Sequence, residues 1–328
     1  MQLIGASRFE IVELPTPAVG PDGVLIRVRA CGICGSDVHG MDGSTGRRIP
    51  PIVMGHEASG EIAAVGSGVT EWKVGDRITF DSMISCGECG FCRNGQSNLC
   101  DNRQVVGVSC AEYRRNGAFA EYLAVPGRLL YRLPDSLSFE HAAMVEPVSV
   151  AVHGIARAEV KPEDRVVVIG AGMIGMLVIQ VLKAKGVCDV MAVDIDPLKR
   201  QKAAELGADS VAESSTDLEL DVAIEAVGIQ PTVEMACRSV RKGGRVSLVG
   251  NLAPNVSVPL QVIVTRELTL YGSCGSVGNY EESLRLIADG SVRVDPMITG
   301  RISLEQAPDY FERLHRAEPG LIKVMVCP

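Results

Sequence analysis

The sequence predicts an α/β chain in which a β-rich lobe is joined to a doubly wound parallel sheet, and three observations support this. Short alternating or β-branched runs, separated by Gly, Pro and Asp, fill the chain up to about residue 135 and are typical of strands. The run VVVIG, which begins at Val166, is apolar throughout, as in a strand buried on both faces of a parallel sheet, and a helical pattern follows it. Strand and helix patterns then alternate, which predicts the doubly wound sheet.

The individual elements follow from the same patterns. The strands of the first lobe are predicted at EIVEL, GVLIRVRA, EASGEIAAV, DRITF and AEYLAV. In the second lobe a helix from Met173 to Ala184 follows VVVIG, and the later segments are strands DVMAVDI, DVAIEAV, GGRVSLVGN and LTLYGS with helices PLKRQKAAELG and PTVEMACRSV between them. After about Tyr280, a helix (EESLRLIADG) and short strands (MITGRIS, LIKVMV) return to the first pattern. We therefore expect residues 1–147 and 284–328 to form one domain and residues 148–283 the other.

Composition and net charge argue against a membrane-spanning protein and against a nucleic-acid partner. The 328 residues are 46% hydrophobic and 22% charged, as in an ordinary globular protein, and no apolar run reaches the roughly 18 residues of a membrane span. The net charge of -8, without any block of lysine or arginine, disfavours nucleic acid as a partner. A small-molecule ligand is the better expectation.

Four cysteines in the stretch SCGECGFCRNGQSNLC have the spacing of a metal site: Cys86, Cys89, Cys92 and Cys100. Zinc is the expected occupant, and four protein ligands leave no open position, so this site is predicted to be structural. The alternative is disulfides or buried free thiols. The eleven cysteines of the chain cannot all pair within it, and the N-terminus does not resemble an export signal, so we expect a reducing, cytoplasmic compartment.

The GAGMIG motif at the junction of VVVIG and its helix predicts a dinucleotide site. Its first glycine makes the turn, the second admits pyrophosphate to the backbone and the third allows helix and strand to pack closely; the residues of the turn are Gly170, Gly172, Met173, Ile174 and Gly175. The helix N-terminus then faces the phosphates.

Asp194 lies at the end of the next strand, where a carboxylate accepts hydrogen bonds from the adenosine ribose and repels a 2′-phosphate. NAD is therefore favoured over NADP, although Arg200 lies close enough in sequence to soften this preference. The alternative is a structural glycine turn with a solvated aspartate.

A second set of candidate ligands lies outside the cysteine loop: Cys34 in CGICGSDVHG, His56 and Glu57 in GHE, and Glu146 in EPVSVAVHG. With GHEASGEIAAVGSGV, the cysteine loop and GAGMIG, these motifs resemble the zinc-dependent medium-chain alcohol and polyol dehydrogenases over essentially the whole chain. Glutamate rather than cysteine at position 146 is similar to the sorbitol dehydrogenase branch. The resemblance implies a GroES-like catalytic domain and a Rossmann domain, with the active site between them.

The resemblance also assigns roles to residues. Cys34, His56 and Glu146 are expected to hold a catalytic zinc, with Glu57 as an alternating or water-mediated ligand. Ser36 is expected to accept the proton of a substrate hydroxyl, with His39 either passing it to solvent or only bonding the nucleotide or backbone. Asp37 is expected to orient His56. Each subunit then carries two zinc ions, and hydride passes from the alcohol to NAD.

Further cofactor contacts are expected from the segments EAVG and LVGN, which end predicted strands at the carboxyl edge of the sheet. By resemblance, the backbone there contacts ribose and nicotinamide through Ala226, Val227, Val249 and Gly250. Lys323 in LIKVMV is expected to reach the nucleotide from the other domain.

The substrate is less closely defined than the chemistry. Sorbitol-type enzymes carry an Arg-Tyr pair where this chain has Gly275 and Ser276, which disfavours sorbitol itself and more closely resembles relatives acting on galactitol 1-phosphate or similar sugar alcohols. Arg47 and Arg48 either bind a phosphate or carboxylate or belong to a solvated loop.

Three alternatives remain open: an L-threonine 3-dehydrogenase, a 2,3-butanediol dehydrogenase, and a non-catalytic NAD-binding protein. Ser36 and Glu146-Pro147 rank threonine below a polyol, since threonine enzymes usually carry Thr and Asp-Pro there. Retention of the metal ligands disfavours a non-catalytic protein. By resemblance, LTLYGS is an edge strand that pairs across a two-fold axis, so a homodimer or homotetramer is expected.

Overall fold

The computed structural model describes residues 1–328. The strands in chain order are β1 (Gln2–Gly5), β2 (Arg8–Glu10), β3 (Gly23–Gly32), β4 (Glu57–Val65), β5 (Arg77–Phe80), β6 (Met83–Ile84), β7 (Gln104–Val105), β8 (Tyr122–Pro126), β9 (Leu130–Arg132), β10 (Arg165–Ile169), β11 (Asp189–Val193), β12 (Ser210–Ala212), β13 (Leu220–Glu225), β14 (Val240–Leu248), β15 (Thr269–Gly272), β16 (Ile298–Ile302) and β17 (Lys323–Val326). The α-helices are α1 (Gly35–Gly40), α2 (Gly90–Arg93), α3 (Phe139–Ala143), α4 (Val145–Arg157), α5 (Met173–Ala184), α6 (Pro197–Glu205), α7 (Gln230–Ser239), α8 (Leu260–Thr265), α9 (Tyr280–Ala288) and α10 (Ala307–His315). None of these helices has both the length and the apolar character needed to cross a bilayer.

The chain divides into two compact units, one formed by Met1–Glu146 with Val294–Pro328 and the other by Pro147–Arg293. The second unit ends at Arg293 rather than at the predicted residue 283. The reason is that helix α9 and the segment after it are bonded within the second unit. Gln180 on α5 donates to the carbonyl of Arg293 at 3.2 Å and accepts from its N–H at 2.8 Å.

The first unit is built on a seven-stranded sheet of order β16-β17-β3-β4-β5-β9, with β8 also paired to β3. Strands β3 and β4 are antiparallel, and Gly32 at the end of β3 lies opposite Glu57 at the start of β4. Residues just after β3 and just before β4 therefore meet at one edge of the sheet, which is where the candidate metal ligands lie.

One predicted strand of this unit is wrong. The EIVEL segment carries no strand beyond its first residue, because β2 covers Arg8–Glu10. Ile11 and Leu14 are exposed, and prolines at 15 and 17 follow, so the apolar alternation there has no sheet to pack on.

The second unit contains a six-stranded sheet of order β12-β11-β10-β13-β14-β15, and every pairing in it is parallel. The α/β fold class with a doubly wound sheet is confirmed. Helix α5 spans Met173–Ala184 as predicted, and its apolar face is buried. Strand β15, from the LTLYGS segment, lies at the edge of the sheet. The carboxyl ends of β10, β11, β13 and β14 share one edge, to which the glycine-rich turn belongs.

Candidate active site

The four cysteines of the loop converge, with the sulfur atoms of Cys86, Cys89, Cys92 and Cys100 all within 4.8 Å of one another. The chain makes the necessary reversals at Gly87 and Gly95, which have φ values of 80° and 73° that glycine adopts readily. The N–H of Cys86 donates to Cys100 Sγ at 3.2 Å, and the N–H of Cys89 donates to Cys86 Sγ at 3.4 Å.

These backbone donors favour thiolates. The N–H groups of Glu88 and Cys89 lower the pKa of the Cys86 thiol to about 6. Backbone N–H groups likewise lower the pKa of the Cys89 thiol. Four converging sulfurs are the donor set of a closed zinc site, so the geometry fits the expected metal.

A second group of ligand atoms forms where β3 ends and β4 begins. Cys34 precedes α1, His56 immediately precedes β4, and Glu57 is the first residue of that strand. Their ligand atoms also lie within 4.8 Å of one another, and His56 and Glu57 are buried. Thiolate, imidazole and carboxylate together suit zinc. Glu57 Oε1 is buried without a hydrogen-bond partner, which is costly unless a cation compensates it. The residues present therefore fit a zinc ion.

Glu146 is not part of this group of converging atoms. It is the second residue of α4, and burial raises the pKa of its carboxyl to about 7, with His56 acting against the rise and Glu57 adding to it. The charges of His56 and Glu57 therefore act on the Glu146 carboxyl. Its assignment as the third zinc ligand stays a prediction.

The carboxylate of Asp37 lies beside the Nδ1 side of the His56 imidazole. Its Oδ2 lies 3.6 Å from His56 Nδ1, which leaves Nε2 as the nitrogen for a metal. Burial would raise the pKa of Asp37, but His56 and Arg48 hold it well below its ordinary value. Burial would likewise lower the pKa of His56, but Asp37 and Cys34 raise it well above its ordinary value. Asp37 is therefore ionised and placed to orient the imidazole, as expected from sequence.

Ser36 and His39 lie on the exposed side of α1. Ser36 Oγ donates to Cys34 Sγ at 3.3 Å, so the hydroxyl is next to the candidate ligand. Partial burial and the charge of His315 lower the pKa of His39, which favours the neutral imidazole, the form that can accept a proton. Both positions suit the proton relay that the sequence predicts.

Lys323 forms a buried ion pair with Glu57. Its side chain is only 1% exposed, and its ammonium donates to Glu57 Oε2 at 2.6 Å and to the carbonyl of Ile33 at 2.9 Å. Burial would lower the pKa of Lys323, but Glu57 raises it above the ordinary value, so the amine is charged. Lys323 is the first residue of β17, and its side chain lies in the core beside Glu57. Its expected contact with the nucleotide stays a prediction.

Sequence reasoning missed two charged residues. Arg48, assigned to a solvated loop or a ligand site, is 3% exposed and paired with Asp37. Glu225 is buried at the end of β13 and accepts from the N–H groups of Val227 and Gly228 at 2.9 and 2.8 Å. The available signal for Glu225 was its place directly after the apolar run VAI, at the end of β13.

The glycine-rich turn of the second unit has the geometry that a dinucleotide site requires. Gly170 has a φ of 93°, and a Cβ at Gly175 would overlap the carbonyl oxygen of Gly170. A Cβ at Gly172 would meet nothing within 4 Å, so its surroundings are open. Gly172 precedes the first residue of α5, Met173, with Ile174 next, so the free N–H groups of the helix lie at this turn.

Asp194 is fixed beside this turn. Its Oδ2 accepts from the N–H of Ala171 and its Oδ1 from the N–H of Asp196, both at 2.9 Å. Arg200 donates to the carbonyl oxygen of Asp194 at 2.6 Å. The arginine is thus held near Asp194 but bonds its backbone rather than its carboxylate.

Two loops at the same edge pack backbone against backbone. The N–H groups of Val249 and Gly250 both donate to the carbonyl oxygen of Glu225, and a Cβ at Gly250 would overlap the N–H of Gly228. Ala226 and Val227 lie between these partners. The two segments expected to contact ribose and nicotinamide are therefore held together as one surface.

Position 276, where sorbitol-type enzymes carry part of their Arg-Tyr pair, holds a buried serine. Ser276 Oγ accepts from Ser149 Oγ at 2.9 Å within the second unit. Its hydroxyl is engaged in the core and supplies no cation or phenol to a ligand.

The chain is similar to known proteins over both units. Residues 20–135 match the model of the alcohol dehydrogenase GroES-like domain, and residues 174–289 match that of the zinc-binding dehydrogenases. A sorbitol dehydrogenase of Bacillus subtilis (strain 168) is 36% identical, with 98% of this chain and 94% of that protein aligned.

Solved structures of dehydrogenases are similar to this chain over nearly its whole length. A protein from Sinorhizobium meliloti 1021, solved with NADP bound, matches with a TM-score of 0.90 and 33% identity over 100% of this chain and 98% of that one. Galactitol-1-phosphate dehydrogenase from Escherichia coli matches with a TM-score of 0.90 and 30% identity over 97% and 96% of the two chains. With these similarities spanning both domains, the chain belongs to the zinc-dependent medium-chain dehydrogenases, in their polyol dehydrogenase branch, and is an oxidoreductase.

Proposed function

We propose that the protein is an NAD-dependent zinc dehydrogenase that oxidises a secondary hydroxyl of a polyol, sugar alcohol or sugar-alcohol phosphate reversibly to a ketone. The observation that carries this proposal is the convergence of Cys34, His56 and Glu57 within 4.8 Å, with Ser36 bonded to Cys34. The separate four-cysteine cluster supplies the structural site, so the open donor set at Cys34 is left for chemistry.

Residues of the first unit are proposed to bind the metal, to transfer the proton and to orient a metal ligand. Cys34, His56 and Glu146, with Glu57 as an alternating ligand, would hold the zinc ion, which would supply a positive charge that lowers the pKa of a substrate hydroxyl toward neutrality. Ser36 accepts the hydroxyl proton, and His39 passes it to solvent. Asp37 keeps His56 in the orientation that binds metal. Loss of the hydroxyl proton would allow the carbinol carbon to give its hydride to NAD, which leaves a ketone and NADH.

The second unit is proposed to bind NAD. Gly170, Gly172 and Gly175 bring the start of α5 to the pyrophosphate, and Asp194 accepts hydrogen bonds from the adenosine ribose. The Asp194 carboxylate disfavours the 2′-phosphate of NADP, the cofactor bound in the Sinorhizobium meliloti structure. The surface made by Ala226, Val227, Val249 and Gly250 is proposed to contact ribose and nicotinamide.

The substrate class rests on the relatives named sorbitol dehydrogenase and galactitol-1-phosphate dehydrogenase. The buried Ser276 in place of the polyol-binding pair supports a substrate other than sorbitol. L-Threonine and 2,3-butanediol remain the competing small alcohols. A reducing cytoplasmic compartment is proposed on the number of cysteines, all of which are free thiols in this structure.

The test is NADH formation by zinc-loaded protein with sugar alcohols, their phosphates, 2,3-butanediol and L-threonine, with NADP in parallel. We expect turnover of one polyol class with NAD, abolished by Cys34→Ser, while the control Cys188→Ser, an exposed cysteine of the second unit, retains activity. Metal analysis is expected to find two zinc ions per chain in the wild type and one in Cys34→Ser. Two bound zinc ions without turnover of any alcohol would favour a non-catalytic NAD-binding protein.

A further inference from the structure

Arg48 is a buried arginine near the candidate metal ligands, and the proposed mechanism gives it no role. It lies in the loop between α1 and β4, and it is 3% exposed beside Asp37, which is fully buried. Its Nε and Nη2 both donate to Asp37 Oδ1, at 3.0 and 2.7 Å, and its Nη1 donates to the carbonyl of Arg47 at 3.0 Å. An arginine so enclosed is unable to bind a substrate phosphate.

The surrounding chain is shaped to hold this side chain. A Cβ at Gly40 would lie 2.8 Å from Arg48 Cγ and 3.1 Å from Thr45 Oγ1, so α1 ends in a glycine where the arginine stem passes. The backbone is held as well, because Ser109 donates its N–H to the carbonyl of Arg47 and accepts from the N–H of Ile49. The guanidinium therefore has little freedom to move.

The Nη2 nitrogen of Arg48 donates hydrogen bonds to two side chains. Besides Asp37, Nη2 lies 3.3 Å from Ser36 Oγ, to which it donates, and Ser36 in turn donates to Cys34 Sγ. A buried ion pair that only stabilises the fold needs the contact with Asp37 but not the one with Ser36. The guanidinium thus connects the carboxylate behind His56 with the hydroxyl beside Cys34.

We propose that Arg48 is a positioning residue for the reaction, which fixes the Ser36 hydroxyl and the Asp37 carboxylate at the metal centre. A serine hydroxyl has one donor and two acceptor lone pairs. Arg48 donates to one lone pair of Ser36 Oγ and the O–H donates to Cys34 Sγ, so the second lone pair is the one left to accept from a substrate hydroxyl. This inference rests on the proposed function for its effect on turnover, but its structural effect is measurable without turnover.

The experiment compares Arg48→Lys and Gly40→Ala with the wild type. Lysine keeps the charge but has a single nitrogen, so it reaches Asp37 without also holding Ser36. Alanine at position 40 keeps the arginine but displaces its stem. Arg132→Lys is the matched control, since Arg132 pairs with Asp76 at 2.8 Å in the same unit.

We expect Arg48→Lys and Gly40→Ala to lower kcat by at least about tenfold, with a change in KM of less than about threefold, because proton transfer and not substrate binding is impaired. The solvent deuterium isotope effect on kcat should rise. Two zinc ions per chain should remain, and Arg132→Lys should behave as the wild type. In a Ser36→Ala background the further loss from Arg48→Lys should shrink, since the two residues act together.

A readout independent of turnover uses protein with Co²⁺ in place of catalytic zinc. The visible absorption bands of Co²⁺ should shift in Arg48→Lys and Gly40→Ala but not in Arg132→Lys, because the bonds to Cys34 and His56 change. An unchanged spectrum, or an unchanged kcat with full zinc, would overturn the role of Arg48. If the wild type turns over no alcohol, the proposed function fails while the cobalt spectrum still decides the role of Arg48.

Discussion

At the scale of single residues, the ion pair of Lys323 with Glu57 lies deepest in the first unit. Both side chains are at most 2% exposed, and a Cβ at Gly32 would overlap the Glu57 carboxylate, so only glycine leaves room for it there. Removing one partner of such a pair leaves an uncompensated buried charge.

We therefore expect Lys323→Met to lower the free energy of unfolding by about 3 to 5 kcal/mol. The control is Lys185→Met, which breaks the partly exposed pair with Glu282 and should cost less than about 1 kcal/mol. Adding Glu57→Gln to Lys323→Met should recover part of the loss, because the unpaired charge disappears. Urea unfolding of the zinc-loaded wild type, the two single variants and the double variant measures these free energies. Equal losses at positions 323 and 185 would show that the buried charge is compensated by other groups.

Asp81, directly after β5, makes stability depend on pH. Burial raises the pKa of its carboxyl to about 6, while the N–H of Met83 and the charge of Arg128 act against the rise. Between pH 4 and 6 the folded protein therefore holds a proton that the unfolded chain has released, so the free energy of unfolding falls as pH rises through this window.

Asp81→Asn should remove this dependence and keep the acceptor for the N–H of Met83. We expect the variant to be more stable than the wild type by about 1 to 2 kcal/mol at pH 7 and equal to it near pH 4. Urea midpoints at half-unit pH steps measure the difference. A difference that stays constant with pH would assign the titration to another group.

At the scale of an element, the turn between β10 and α5 separates two roles of glycine. A Cβ at Gly175 would overlap the carbonyl of Gly170, whereas one at Gly172 would meet open space. Gly175→Ala should therefore weaken the packing of α5 on β10 and destabilise the fold by several kcal/mol. Gly172→Ala should leave the unfolding midpoint unchanged but weaken NADH binding about tenfold or more, because the methyl group occupies the approach of pyrophosphate.

Fluorescence titration with NADH and thermal unfolding distinguish the two variants. Gly90→Ala is the control, because a Cβ at Gly90, in the other unit, would meet nothing within 4 Å. Gly186→Ala is unsuitable as a control, because the φ of 84° at Gly186 would strain an alanine. Unimpaired NADH binding by Gly172→Ala would place the pyrophosphate elsewhere.

At the scale of the whole molecule, the free edge of the six-stranded sheet points to assembly. Strand β15 ends the sheet, and the helix before it, α8, has no buried residue, with Leu260 66% and Val264 64% exposed. We propose that a second copy covers this region, as a homodimer or a homotetramer built from dimers.

Val264→Asp should accordingly lower the mass measured by light scattering after size exclusion to that of a smaller assembly, because a charge is buried without a partner at the interface. Val74→Asp is the control, since Val74 is similarly exposed at 62% in the first unit and should leave the mass unchanged. If the wild type is monomeric, the exposed face has another role.

Much of this molecule was predictable from sequence where local rules decide the outcome. The run VVVIG, the glycine turn and helix α5 follow from hydrophobic period and from the sterics of close backbone approach. The four cysteines converge as their spacing predicts. Short elements such as α1, with six residues, and β1, with four, were missed, because segments this short carry no readable period.

The family, the α/β fold class and the donors at Cys34 and His56 could be predicted from sequence, since few residue types bind zinc and their motifs are local. The charges that face those donors could not be predicted, because they come from distant parts of the chain. Lys323 meets Glu57 across 266 positions of sequence, and Arg48 reaches both Ser36 and Asp37 from a loop that sequence could not distinguish from a solvated one. The physical reason is that a buried charge is stable only beside its partner, and the pairing of β17, β3 and β4 that brings such partners together depends on the whole sheet.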